Sequence, residues 1–276
     1  MKLISWNTNH KTRKCADQVK ALLARSPDVL ALQEVTKNTT RLWRKLLRGT
    51  ELVYTVDSFE LAGDRGKLTG PRQYGELIAS RWPSYGSRLV GAKWPERAVA
   101  TFIKSPFGKV ELVTTGIPPG SSNGWTKIGV LKGVYDRLAH KSPHLRILCG
   151  DFNTPQEELS DGRIVTWAQR YVEERKEVFT SKKIEGRNGA DWDQGERHIL
   201  EGLEDFGIVE VYRRVHGYRT DDFSWLDNKG QGRRYDHIFA SIKLRPVGCT
   251  YLHNLRESGL SDHSPLEANF HPDQSA

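Results

Sequence analysis

The chain has 276 residues, 37% hydrophobic and 28% charged, enough to bury a sizeable core as one large unit or two small ones. No apolar run approaches the 18 residues of a membrane span, and the strand-like pattern from Lys2 leaves no room for a signal peptide, so a cytoplasmic monomer away from membranes is expected. Three cysteines at positions 15, 149 and 249 fit neither a disulfide framework nor a zinc site, and all are read as thiols.

The net charge of +8 is local, because residues 1–50 carry 11 Lys or Arg against three acids and the rest of the chain is neutral. Lys2–Trp6 alternates as a strand ending at Asn7, and a helix with Cys15, Val19, Leu22 and Leu23 on its apolar side follows. Val29–Leu32 is apolar without alternation, as in a strand covered on both faces, and stops abruptly at Gln33-Glu34. A second helix is expected to place Leu42, Trp43, Leu46 and Leu47 on the core. Its other face carries Lys37, Arg41, Arg44 and Arg48 at helical spacing, either a solvated face or a stripe suited to nucleic acid.

Residues 57–75 read as a Gly-rich loop, followed by strands at 76–80, 97–104 and 109–115, the last entering the turn Gly116-Ile117-Pro118-Pro119-Gly120. A helix with Ile128, Leu131, Tyr135 and Leu138 on one side leads to the strand Leu145–Cys149, whose tip is Gly150-Asp151-Phe152-Asn153. Residues 182–194 read as an exposed loop carrying Trp192, then come a helix over 199–206 and a strand over 209–212. Phe223-Ser224-Trp225 precedes a Gly-rich turn and the strand beginning Arg234-Tyr235-Asp236, and Ser261-Asp262-His263-Ser264-Pro265 leads into the alternating run at 266–270. With no linker dividing 1–276, this pattern predicts one α/β domain of two packed sheets flanked by helices.

Polar residues gather where strands end: Asn7, Glu34, Asp151, Asn153, Asp236, Asp262 and His263. Any one of them is at home in a turn or helix cap. Together, carboxylates and amides are hard ligands that suit Mg²⁺ or Mn²⁺ rather than Zn²⁺, and with a carboxylate base they match hydrolysis of a phosphoester.

The segments ISWNTN, PDVLALQE, LCGDFNTP, FSWLDNKGQGRRYDHIFAS and SDHSP, in this order and spacing, resemble the endonuclease/exonuclease/phosphatase superfamily, most of all its exonuclease III and apurinic endonuclease branch. The resemblance implies a four-layer α/β/β/α sandwich and a Mg²⁺-dependent nuclease acting on nucleic acid, DNA before RNA. It implies that Glu34 is the principal metal ligand, with Asn7 beside it and Asp262 contributing. Asp151 would deprotonate the attacking water, Asn153 would hold a phosphate oxygen, and His263, steered by Asp236, would contact the phosphate. In one place the chain departs from the family, which has a Tyr or His where Gly116 stands. Thr114, Thr115, Tyr74 and Trp125 are candidates to supply the missing donor, and the glycine alternatively makes space for a bulkier substrate. A phosphatase or phosphodiesterase on a small or lipid phosphate, or a nucleic-acid-binding protein with an impaired site, remain the competing readings.

Overall fold

The computed structural model describes residues 1–63, 68–91 and 93–272. The chain opens with β1 (Lys2–Asn7), α1 (Cys15–Leu23), β2 (Val29–Val35) and α2 (Lys37–Leu47). Thr36 starts α2 because its hydroxyl accepts the Thr39 N–H while the Thr39 hydroxyl accepts the Thr36 N–H. Trp43 and Leu47 are buried as expected, but Leu46 is exposed, its position on the helix falling outside the contact arc.

Next come β3 (Tyr54–Asp57), α3 (Ser58–Leu61) and β4 (Gly75–Ser80). The loop expected over 57–75 therefore begins with a helical turn, capped by the Asp57 carboxylate, which accepts the N–H groups of Phe59 and Glu60. Residues 64–67 of that loop lie outside the described residues. β5 (Ser84–Leu89), β6 (Ala98–Ser105), β7 (Gly108–Gly116), α4 (Gly120–Asn123), α5 (Thr126–Leu138) and β8 (Leu145–Asp151) follow.

Three hairpins then grow beside the end of β8: β9 and β10 (Glu157–Glu158, Ile164–Val165), β11 and β12 (Gln169–Val172, Glu177–Thr180), and β13 and β14 (Lys183–Ile184, Arg187–Asn188). The loop and helix expected over 182–206 are rearranged: α6 (Gly189–Leu200) starts earlier, capped by Asn188, and Trp192 is buried with its indole N–H on Glu196. A polar stretch hid this helix, since Glu196 is itself interior. β15 (Ile208–Glu210) stops where α7 (Val211–His216) begins, so Val211 and Tyr212 are helical rather than extended, with Glu210 accepting the Arg213 N–H as the cap. The hairpin β16 and β17 (Trp225–Leu226, Gly232–Arg233), β18 (Asp236–Ser241), β19 (Leu244–Tyr251), α8 (His253–Glu257) and β20 (Leu266–Pro272) complete the order.

Two six-stranded sheets result, with orders β19-β20-β1-β2-β4-β3 and β15-β18-β8-β7-β6-β5. β1 with β2 and β7 with β8 are parallel, and the other ladders of these sheets are antiparallel. Leu3, Ala31, Ile78, Leu112, Ile147, Ile238 and Leu266 fill the space between the sheets. One outer face packs Ile4, Trp6, Leu30 and Leu32 on Leu22 and Trp43 of α1 and α2; the other packs Val113, Leu148 and Phe239 on Leu131 of α5 and Ile199 of α6. This is the expected four-layer α/β/β/α sandwich, with strands buried on both faces.

The ladders also bring polar tips together. Antiparallel pairing sets Asp236 opposite Asp151, and parallel pairing sets Gly116 beside the same Asp151. At Gly150 a Cβ would lie 1.8 Å from the Thr115 carbonyl oxygen, backbone against backbone, so only glycine lets β8 lie this close to β7. Gly150→Ala is expected to cost about 3 kcal/mol or more, because neither ladder can retreat without losing its register; urea unfolding measures it, and a loss within experimental error would mean that the pairing is looser than described.

Candidate active site

The residues at the strand tips surround a cleft of about 670 Å³, whose lining includes Glu34, Asp151, Asn153, Asp262 and His263. Asp151 is its hub. Asn7 Nδ2 donates to Asp151 Oδ2 at 2.9 Å, and Asn153 donates its backbone N–H to Oδ1 at 3.0 Å and its amide to Oδ2 at 3.2 Å. The His263 ring bridges the two aspartates, with Nδ1 2.7 Å from Asp236 Oδ2 and Nε2 3.9 Å from Asp151 Oδ2. Trp6, on β1 beside β20, fixes this segment by donating its indole N–H to the His263 carbonyl.

Burial pushes the Asp151 carboxyl up to about 7, with the charge of Asp236 adding to the effect and His263 opposing it. For His263, burial disfavours the cation, but Asp236 and Asp151 overcome that and raise the imidazole to about 10. The site thus holds an imidazolium between a carboxylate that orients it and one that can accept a proton near neutrality.

Glu34 reaches the cleft through a local break in β2. The β2–β4 register shifts between Leu32 and Val35, and Glu34 takes a left-handed φ of 54°, which turns its carboxylate outward while Gln33 points between the sheets onto Ser5 and Thr114. Against the cost of burial, His10, His263 and Arg97 hold the Glu34 carboxyl below its usual range, so it is ionised and ready for a cation. Asp262 is exposed at the mouth and accepts from Asn9 Nδ2 at 2.7 Å.

Among the described residues no three His, Cys, Asp or Glu side chains converge as a metal cluster, so the available donors are the carboxylates of Glu34 and Asp262 and the Asn7 amide oxygen. Asn7 Oδ1 already accepts the Asn9 N–H and keeps one lone pair. Such a sparse, hard-oxygen set fits an ion that retains most of its waters and takes the rest of its shell from a phosphate, which is the habit of Mg²⁺.

Several expectations change. Both Asn153 side-chain N–H groups are already engaged, one on Asp151 and one on the Ile117 carbonyl, so in this arrangement the amide has no free N–H for the phosphate oxygen it was expected to hold. Arg44 is bound by Asp57 at 2.7 Å and by Glu60, which neutralises it, while Lys37, Arg41 and Arg48 are exposed. Nearer the chemistry, Arg72 and Arg233 line the cleft with Trp167, Trp225 and Tyr235, the Arg233 guanidinium lying 5.5 Å over the Trp167 ring. The proposed substitutes for a donor at 116 mostly face elsewhere: Thr114 accepts from Gln33, Thr115 donates to the Arg97 carbonyl, and Trp125 donates to the Ile184 carbonyl. Tyr74 alone is at the site, stacked on His10 at 4.9 Å. Nor is Gly116 open space, since a Cβ there would stand 2.9 Å from Oε1 of the wholly buried Glu76. The one sequence signal of Glu76 was a charged residue inside the apolar strand GELIAS.

Residues 4–263 match the family model described as the endonuclease/exonuclease/phosphatase family. Exodeoxyribonuclease III of Haemophilus influenzae is 25% identical over 98% of this chain and 100% of its own length. An AP endonuclease from Archaeoglobus fulgidus has the same fold, with a TM-score of 0.70 at 20% identity over 98% of this chain and 99% of that one. A 3′ phosphatase from Neisseria, solved with a product DNA hairpin, gives 0.64 at 22% identity over 98% and 99%.

Gly116→Ala is expected to destabilise the protein by about 1 kcal/mol, because the methyl group meets the end of the buried Glu76 side chain, which must shift to admit it. Adding Glu76→Ala to the same chain should recover most of that loss in thermal melts. Additive losses in the double variant would show that the two positions do not share a space.

Proposed function

Because the chain belongs to the endonuclease/exonuclease/phosphatase family, a family of phosphoesterases acting as nucleases and phosphatases, we propose that it hydrolyses DNA phosphodiester bonds with the help of a bound Mg²⁺ or Mn²⁺. The observation that carries this reading is the His263 imidazolium held between Asp236 and Asp151 at the floor of the cleft. Glu34 and Asp262 would hold the cation, with Asn7 Oδ1 beside them. When bound, it supplies positive charge to the phosphate and makes the phosphorus a better electrophile.

The chain's own residues do the rest. Asp151, oriented by Asn7 and Asn153, accepts a proton from the attacking water as the new P–O bond forms and the bond to the leaving oxygen breaks. His263 donates a hydrogen bond to a phosphate oxygen, and Asp236 keeps it cationic for that task. Trp167, Trp225 and Tyr235 give the cleft flat apolar walls suited to stacked bases, which favours a polynucleotide over a lipid or small phosphate. The names of the relatives, an exodeoxyribonuclease and a phosphatase holding a DNA hairpin, support DNA as that polymer. Incubation with labelled duplex, single-stranded and 3′-phosphorylated DNA, RNA and phosphomonoesters, each with Mg²⁺, Mn²⁺ or EDTA, tests the proposal; activity on phosphomonoesters alone, or full activity in EDTA, overturns it.

Asp151→Asn should lower turnover by roughly 10² or more with DNA binding intact, since an amide cannot take the proton of water. Turnover on DNA within a few-fold of the parent would remove Asp151 from the role of base.

The pH profile has a definite sign. The base must be ionised, so kcat/KM should rise through about pH 7 as Asp151 loses its proton, and the imidazolium must stay charged, so it should fall as pH passes about 10. Asp236→Asn removes a charge that raises both His263 and Asp151, so both limbs should move downward, the alkaline one further because Asp236 is in direct contact with the imidazole. An alkaline limb that stays in place would mean that Asp236 does not govern His263.

Lys37, Arg41 and Arg48 extend the cationic surface beyond the cleft and are proposed to contact phosphates away from the scissile bond. Reversing them to Glu should flatten the dependence of log K on log salt by roughly 0.9 for each lost contact; an unchanged slope makes them a solvated face.

A further inference from the structure

Beside the main cleft lies a recess of about 10 Å³ whose lining includes Glu34, Tyr74, Arg97, Gly116 and Asp151. That is space for about one water-sized atom, which is the size of a single oxygen and too small for any side chain. Two arginines border it, Arg72 exposed at the rim and, within, Arg97. Arg97 is only 5% exposed, and its guanidinium lies 5.2 Å over the Tyr74 ring and 6.0 Å over the Trp94 ring, which fix the guanidinium plane. Its buried Nε has no hydrogen-bond partner.

Behind it stands Glu76, fully buried, with neither carboxyl oxygen hydrogen-bonded. Glu76 Oε1 and Arg97 Nη1 lie 2.9 and 3.8 Å from the same point, the place where a Gly116 Cβ would be. Two buried ionisable groups so poorly satisfied are costly for a fold that gains nothing else from them. The arrangement is accounted for if the guanidinium is kept for a ligand that arrives later, an anion offering an oxygen of the size of the recess. Asp151 and Glu34 border the same recess, so that oxygen belongs to the group undergoing attack.

We propose that Arg97 contacts a non-bridging oxygen of the scissile phosphate in this recess, as a further catalytic residue, and that Glu76 is its positioning residue. The proposal rests on the phosphoesterase reading given above. A guanidinium can engage phosphate through two parallel N–H groups, and donors fixed in so small a recess act on the charge that builds on oxygen during displacement. Gly116 is then part of the device: any side chain there would displace Glu76 and with it the support of Arg97. Arg72, exposed at the rim, has the freedom to guide an incoming strand but lacks this fixed geometry.

The test is steady-state kinetics on a recessed DNA duplex and on a 3′-phosphorylated oligonucleotide. Arg97→Met combined with Glu76→Gln removes the guanidinium together with the buried carboxyl behind it, whose proton affinity burial holds well above the usual carboxylate range. It should lower kcat by roughly 10² to 10³, with KM changed no more than about threefold and the thermal midpoint kept. Arg97→Lys keeps the charge beside Glu76, folds on that account, and should recover part of the rate while remaining about tenfold slow, because a point charge cannot replace the fork. Full kcat in Arg97→Lys, or a rise in KM alone in the double variant, overturns the proposal while Asp151→Asn still loses its turnover. If Asp151→Asn keeps the activity of the parent as well, the phosphoesterase reading itself has failed. Glu76→Gln alone should lower kcat less than the Arg97 changes; a larger loss than theirs would also overturn the assignment of roles.

Discussion

Asp151 and Asp236 face each other across neighbouring antiparallel strands, a placement that two buried carboxylates could not keep without a cation between them. The His263 ring provides it, 2.7 Å from one and 3.9 Å from the other. His263 arrives from the opposite sheet, on the segment that enters β20, so the interaction also ties the two sheets together at the end where the cleft opens. Remove that ring and the site would hold like charges with nothing to offset them. The same electrostatics that permits the burial sets the Asp151 carboxyl at about 7 and the His263 imidazole at about 10.

A second buried ion pair holds the turn that follows Asp151. Lys127 of α5 and Glu196 of α6 are both fully buried; Lys127 donates to the Asn153 carbonyl at 2.9 Å, and Glu196 accepts from Thr154, Trp167 and Trp192. Pairs of this kind contribute little net stability, because desolvation offsets the attraction. What they supply here is position. Four separate segments meet on two side chains, and Asn153, at a left-handed φ of 50°, stays aimed at Asp151.

Much of the framework could be read from periodicity. Apolar runs without alternation marked the strands that are covered on both faces, and Asn7, Glu34, Asp151 and Asp236 each stand where such a run begins or ends. Periodicity failed where polar residues were interior. Trp192 and Glu196 sit in a helix whose sequence looks like a surface loop, and their burial depends on Lys127, more than 60 residues away. Arg44 and Arg48 look alike on a helical wheel, yet only Arg44 meets Asp57 and Glu60, which come from β3 and α3.

By itself the sequence determined which groups could do chemistry: their identity, their order, and their place at the mouths of strands, since local hydrophobic pattern is a property of neighbouring residues. Which of those groups touch is a matter of sheet register and of the packing of one sheet on the other, and only the tertiary structure decided it. Gly116 is the clearest case. From the sequence it was a gap awaiting a donor or a larger substrate; in the fold that volume belongs to Glu76, from a strand of the other sheet, with Arg97 beside it. No local pattern encodes that meeting, because the residues share neither a strand nor a turn: the β6–β7 register sets Arg97 beside Gly116, and the packing of one sheet on the other brings Glu76 to the same point.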